Sequence, residues 1–377
     1  MRIGLFNDSY FPRINGVITS VDSLRMGLTA LGHSVIIITG GHVKEPTFKD
    51  NVLFLPSINF NSWNCQIVNI NSKSNFCAIK NLNLDIIHSH SEFTIGIIAN
   101  KVSKILGIPN VHTYHTSYDD YKYYVLGNIF GVGDYLEKLL VDNFCGEKID
   151  ALITPSEKIS TYLKSQYHIK IEPYIIKTGI RQLNTENFIP VEEKLKIDSD
   201  DFVVLSIGRI AKEKNIDTLI KCHEKIIRHN PNVRLIFVGD GPLLKKYKEY
   251  VVMKNIQKYI TFIGKVNYDS IANFYRIADI TAIASKTETQ GLTLLESLQQ
   301  GTPVMYYNDT TFNYIMEDGY NGIRFVDEQD YIDKMIEISH NKEKLQILKN
   351  NAKASVIDYN SDNYAKEVLK VYKKIYK

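Results

Sequence analysis

Short β-branched runs alternate with segments of helical period along the whole chain, and the alternation restarts near residue 200. This constrains the fold more than composition does, because strand-helix alternation is the signature of parallel sheets with crossover helices. In the first half, strands are predicted at residues 3–7, 35–39, 85–88, 111–114, 151–155 and 174–177. After the first of them, Val17, Val21, Leu24, Leu28 and Leu31 recur at steps of four, three, four and three, one face of an amphipathic helix. The second half predicts strands at 202–208, 235–239, 259–264, 280–285 and 303–306, with helices between. Residues 181–196 are polar and poor in β-branched runs, as expected of a linker. The expected organisation is an α/β domain at 1–185, a second at 196–360, and a helix at 361–377 with Val368, Val371 and Ile375 on one side.

Charge and cysteine usage narrow the function classes. A net charge of +3 over 377 residues is far from the basic balance of nucleic-acid-binding proteins. The four cysteines, Cys65, Cys77, Cys145 and Cys222, have neither zinc-site spacing nor the density of a disulfide framework. The apolar start meets Asn7 and Asp8 too soon for a signal peptide, and no apolar run reaches the roughly 18 residues of a membrane span. A cytoplasmic location is expected, with peripheral contact at the inner membrane face still open.

Chemistry concentrates where strands end. The segment from Glu288 to Glu296 follows a predicted strand and opens a helix at Gln290, Gly291, Leu292 and Thr293. Exposed amides and the helix dipole make such a start an anion site. Glu288 before it and Glu296 one turn inside it can accept hydrogen bonds from sugar hydroxyls, although this spacing alone also suits solvated carboxylates. A second segment leaves a strand at Gly208 and carries Arg209 and Lys214 towards a helix near Asn215. Two cations there suit a diphosphate; a basic loop in solvent is the alternative.

In the first half, the loop at 7–16 ends at Gly16, where backbone can approach a ligand. No G-x-G-x-x-G follows the first strand, which counts against a dehydrogenase. His112 and His115 end one predicted strand and His88 and His90 another, a grouping that would suit a metal. We expect none, because Arg209, Lys214 and helix amides can neutralise a phosphate.

Together these pieces resemble the retaining glycosyltransferases of family 4, with the GT-B architecture of two Rossmann-like domains facing across a cleft. The resemblance is carried by Asn15-Gly16-Val17, Tyr114-His115-Thr116, Thr154-Pro155-Ser156, Gly208-Arg209 with Lys214, Val238-Gly239-Asp240-Gly241-Pro242, and Glu288 to Glu296 followed by Gly301-Thr302-Pro303. It implies that the C-terminal domain grips a nucleotide-sugar donor, a substrate rather than a cofactor, and that the last helix crosses back to the first domain. By resemblance, Glu296 binds the ribose, Glu288 faces the sugar, Arg209 and Lys214 stabilise the departing diphosphate, and Gly16 admits backbone to the phosphates. Lys265 and Val266 meet the base, and His115 lies near the reacting sugar. The family retains anomeric configuration without a bound metal, by front-face substitution in which the leaving phosphate helps take the acceptor proton.

The segment His115 to Tyr121, with Tyr118, Asp119 and Tyr121 on the acceptor side, resembles family members that glucosylate diacylglycerol from UDP-glucose. Tyr123, Tyr124 and Phe130 could then enter a lipid interface; a buried helix is the alternative. A transferase acting on wall, capsule or protein, and a nucleotide-sugar-binding protein without turnover, remain open at this point.

Overall fold

The computed structural model describes residues 1–13, 15–60, 65–115, 141, 144, 149–167, 169–183, 191, 195–286 and 288–376. The chain divides into two compact units: Met1–Arg181 with Tyr359–Lys377, and Gln182–Asp358.

The first unit opens with β1 (Arg2–Phe6), α1 (Gly16–Ala30) and β2 (Ser34–Gly41). Three strands follow, β3 (Thr47–Lys49), β4 (Val52–Phe60) and β5 (Cys65–Val68). The alternation resumes with α2 (Lys73–Lys80), β6 (Ile86–Ser89), α3 (Thr94–Leu106) and β7 (Asn110–Thr113). It closes with β8 (Ala151–Thr154), α4 (Glu157–Gln166) and β9 (Tyr174–Ile175). The strand order is β3-β4-β2-β1-β6-β7-β8-β9, with β5 on β4. Only the β3–β4 and β4–β5 pairs among these run antiparallel.

Those three strands were not expected from sequence. β3 is wholly exposed, and β4 carries Pro56 directly after its apolar start at residues 52–55, a residue not expected inside a strand, so neither reads as one. The first helix forms where expected, because Asn15 caps it by accepting from the Ile18 amide at 2.8 Å.

The second unit runs β10 (Phe202–Ile207), α5 (Ile216–His229), β11 (Val233–Val238), α6 (Leu244–Met253) and β12 (Ile260–Gly264). It continues through α7 (Ile271–Ile277), β13 (Ile280–Ile283), α8 (Leu292–Gln299), β14 (Val304–Tyr307) and β15 (Gly322–Phe325). Two helices end it, α9 (Glu328–His340) and α10 (Lys342–Ala354). Its strands are parallel in the order β12-β11-β10-β13-β14-β15. Both faces are covered: Val204, Leu235 and Phe237 pack against α5, while Val203, Leu205 and Ile236 pack with Phe274 and Tyr275. Burial on both faces makes these strands continuous apolar runs, which is why they were legible.

The last helix, α11 (Ser361–Ile375), belongs to the first unit. Tyr364, Ala365, Val368, Val371 and Tyr372 join Val21, Leu24 and Leu28 of α1 in one core. Burying each of the larger ones contributes about 2 kcal/mol, enough to hold a helix this short in place.

In both sheets the chain starts in the middle, builds outward to one edge, and then crosses to the other side. The crossings fall between β1 and β6 and between β10 and β13. Open α/β sheets bind ligands outside the carboxyl ends of the strands at such switch points.

Candidate functional site

At the switch point of the second unit, the ends of β10 and β13 form a cleft lined by Gly208, Arg209, Lys214, Ser285, Glu288 and Thr293, among others. The two halves of this cleft are tied directly. Asn215 Nδ2 donates to the Ala284 carbonyl at 3.3 Å, and Ser285 Oγ donates to the Glu213 carbonyl at 3.1 Å. Lys214 Nζ donates to Glu288 Oε1 at 2.5 Å, and the pair is largely withdrawn from water, with side chains 29% and 12% exposed. Arg209 is more open, 41% exposed, with Nη1 3.9 Å from Glu213. Four of the residues singled out from sequence, Arg209, Lys214, Glu288 and Thr293, therefore stand in one place.

The loop from Glu288 to Gly291 is pinned from the other side. Thr311 Oγ1 donates to the Glu288 carbonyl at 2.9 Å and Tyr314 Oη to the Gln290 carbonyl at 3.3 Å. Gly291 caps α8 with φ +82, a left-handed conformation that favours glycine, and Leu292 begins the helix. Glu296 is buried, and its two oxygens accept from Tyr268 Oη at 2.6 Å and Tyr275 Oη at 3.0 Å. Tyr268 lies two residues past Val266, so Glu296 and the turn at Gly264, Lys265 and Val266 are linked through one hydrogen bond. That turn is also fixed by Gly239, whose amide donates to the Gly264 carbonyl at 2.9 Å.

The first unit assembles the histidines at its own switch point. Phe6, at the end of β1, accepts from the His90 amide at 2.8 Å, and Asp8 Oδ1 accepts from the Ile95 amide at 3.1 Å. His90 Nδ1 lies 2.9 Å from His115 Nε2, and the two rings stack with centroids 5.2 Å apart. His88 is held between Tyr372 Oη at 2.6 Å and Thr113 Oγ1 at 2.7 Å. His112 bonds Ser89 Oγ at 2.8 Å and Glu92 Oε1 at 3.0 Å. Among the described residues no group of three or more His, Cys, Asp or Glu side chains is placed to hold a metal ion. Gly16 is exposed as the first residue of α1.

Burial sets the protonation of this cluster. It holds His88 and His90 well below the ordinary histidine range, and lowers His115 to about 4. In the second unit burial likewise lowers His223 to about 4. Asp8 moves the opposite way, up to about 6, because burial disfavours its carboxylate. The unfolded chain therefore takes up protons on these histidines between pH 6.5 and 4 that the folded chain refuses, so stability is present above that window and lost as pH falls through it. Asp8 opposes this, since its contribution is largest at low pH and lost as pH rises through about 6. One acid is outweighed by four histidines; the shift at His223 alone corresponds to about 3 kcal/mol at the acid end. The melting temperature is expected to drop between pH 7 and pH 5, and a flat or rising profile by circular dichroism would contradict this assignment.

Tyr118, Asp119 and Tyr121, together with the aromatics at 123, 124 and 130, lie outside the described residues. Sequence reasoning missed Tyr268, Tyr275, Thr311 and Tyr314 as holders of the cleft and Glu92 as a partner of His112; it grouped His88, His90, His112 and His115, but not the contact between His90 and His115. Glu92 stands four residues after His88, and the short strand ending in His-Ser-His was the one signal near it.

Residues 14–181 match the family model described as Glycosyltransferase Family 4, and residues 189–355 that described as Glycosyl transferases group 1. The alpha-monoglucosyldiacylglycerol synthase of Acholeplasma laidlawii is 34% identical over 385 residues, covering 99% of this chain and 96% of that protein. The enzyme of the same name from Streptococcus pneumoniae is 34% identical over 346 residues, covering 89% and 78%. Among solved structures, sucrose-phosphate synthase from Thermosynechococcus elongatus superposes with a TM-score of 0.76 at 19% identity, covering 99% of this chain and 98% of that one. Anabaena HepE, solved with UDP and glucose, gives 0.77 at 14% identity, covering 99% and 100%. The chain therefore belongs to the family 4 and group 1 glycosyltransferases and is a hexosyltransferase of GT-B fold.

Proposed function

We propose that this enzyme transfers glucose from UDP-glucose to diacylglycerol at a membrane surface, with retention of the anomeric configuration. The observation that carries the acceptor is the 34% identity, over nearly the whole of both chains, to a protein named for monoglucosyldiacylglycerol synthesis. The donor assignment rests on the cleft chemistry. A diphosphate leaving group gains charge as the glycosidic bond breaks, and Arg209 and Lys214 are fixed cations beside it. Glu288 holds the Lys214 ammonium and is assigned to sugar hydroxyls, while the buried carboxylate of Glu296, oriented by Tyr268 and Tyr275, is assigned to the ribose hydroxyls.

The amides at Gln290, Gly291, Leu292 and Thr293 are assigned to the phosphates, Lys265 and Val266 to the base, and Gly16 to close approach of backbone to the donor. His115 is assigned to the reacting sugar, and Tyr118, Asp119 and Tyr121 to the acceptor. The leaving phosphate helps take the acceptor proton. No metal or other cofactor enters the proposal, so turnover is expected to persist in EDTA.

No helix among the described residues is long and apolar enough to cross a membrane. Membrane contact is therefore assigned to peripheral binding at the inner face. Labelled UDP-glucose, UDP-galactose and UDP-N-acetylglucosamine, each with diacylglycerol vesicles, test the proposal. Labelled α-glucosyldiacylglycerol from UDP-glucose alone is the expected product. Label in a water-soluble or polymeric acceptor would overturn the lipid assignment, and binding without transfer or donor hydrolysis would overturn turnover itself.

A further inference from the structure

The contact between His90 and His115 carries more than a structural role. The two ring nitrogens, 2.9 Å apart, share one hydrogen, so one ring donates and the other accepts. Burial keeps both rings neutral at pH 7, which leaves each with one ring proton. If His115 donated from Nε2, the proton of His90 would sit on its own Nε2. That atom is buried and, among the described residues, has no hydrogen-bond partner. A buried N–H without an acceptor is the rarer defect in folded proteins.

The neighbours cannot relieve it. His88, tilted against His90 with ring centroids 4.1 Å apart, has its nitrogens committed to Tyr372 and Thr113. His112 is committed to Ser89 and Glu92. The arrangement that leaves no buried hydrogen stranded places the His90 proton on Nδ1, donating to His115 Nε2.

We infer that His90 is a positioning residue that fixes His115 in the tautomer protonated at Nδ1, so that His115 meets its ligand as a hydrogen-bond donor rather than as a base. The tautomer rests on the hydrogen-bond geometry together with the neutral state of both buried rings; its consequence for turnover rests on the role proposed above for His115. A ring that donates suits a sugar hydroxyl or a phosphate oxygen carrying developing charge. It does not suit abstraction of the acceptor proton at that atom, which fits a reaction in which the leaving phosphate takes it.

Long-range proton-nitrogen correlation spectra of histidine-labelled protein test this at pH 7, with the His115 signals identified by their loss in His115→Gln. The wild type is expected to show His115 protonated at Nδ1. His90→Phe, which fills the ring's space without a donor, is expected to release His115 to the Nε2 tautomer. The same variant should lower kcat about 10- to 100-fold, with KM for UDP-glucose little changed, as loss of a ring-orienting partner does elsewhere. His90→Asn, whose amide N–H can replace Nδ1–H, should restore most of that loss. Wild-type His115 protonated at Nε2 overturns the inference, as does a His90→Phe protein with unchanged tautomer and kcat. If His115→Gln keeps full kcat, the role of His115 in turnover fails, and the spectra still decide the tautomer.

Discussion

Replacing Lys214 by alanine is expected to lower kcat about a hundredfold, the equivalent of about 3 kcal/mol of transition-state stabilisation. In the proposed donor site Lys214 is a fixed cation, held 2.5 Å from Glu288 in the loop after β13, so on that reading it requires no reorganisation when charge builds on the leaving diphosphate. An interaction that strengthens as the bond breaks is read in kcat more than in KM. Arg209→Ala is expected to act in the same direction with a smaller effect, because Arg209 is more open to water, which screens its charge. Steady-state kinetics of both variants decide the matter. Near-normal kcat in both would remove the cations from catalysis and leave the cleft without its assigned purpose.

The second large effect is expected on stability. Gly239 has φ +142, and a Cβ added there would lie 1.8 Å from the Gly208 carbonyl oxygen, a backbone atom that cannot swing aside. These two glycines let the ends of β10 and β11 approach while the Gly208 amide donates to the Val238 carbonyl at 3.0 Å. Gly239→Ala is expected to destabilise the second unit by about 3 kcal/mol or more, adding a clash to an unfavourable backbone conformation. For a unit of this size that corresponds to roughly 10 °C in melting temperature. Gly107→Ala is the matched control: its φ is +67 but an added Cβ meets nothing within 4 Å, so only the backbone term applies. A melting temperature for Gly239→Ala equal to that of the control would contradict the assigned contact.

The fold was legible wherever strands are buried on both faces. Residues 202–208 and 235–239 read as strands because Val204, Leu235 and Phe237 face one layer and Val203, Leu205 and Ile236 the other. β3 to β5 escaped notice because they pair antiparallel towards the sheet edge, where Pro56 and the exposed Asn59 are tolerated. β15 is only Gly322–Phe325, with Arg324 exposed, too short to separate from a loop.

In the site, sequence supplied the residue types but not their partners. Arg209, Lys214, Glu288 and Glu296 stood out because strand ends and helix starts concentrate chemistry. That Lys214 grips Glu288, 74 positions away, follows from which strands are neighbours at the switch point. The same holds for Tyr268 and Tyr275, whose bonds to Glu296 span 28 and 21 positions and obey no local spacing. Asp8 was hidden for a related reason: only the pairing of β1 with β6 brings it within reach of the Ile95 amide, 87 positions away.

Amide hydrogen exchange of the full chain with and without UDP tests the central claim most directly, because it reports where the nucleotide diphosphate sits without requiring turnover. The account predicts that UDP slows exchange at residues 208–216 and 291–296, the two segments that meet at the ends of β10 and β13. Slowing confined to other segments, or none at UDP concentrations that saturate binding, would contradict it.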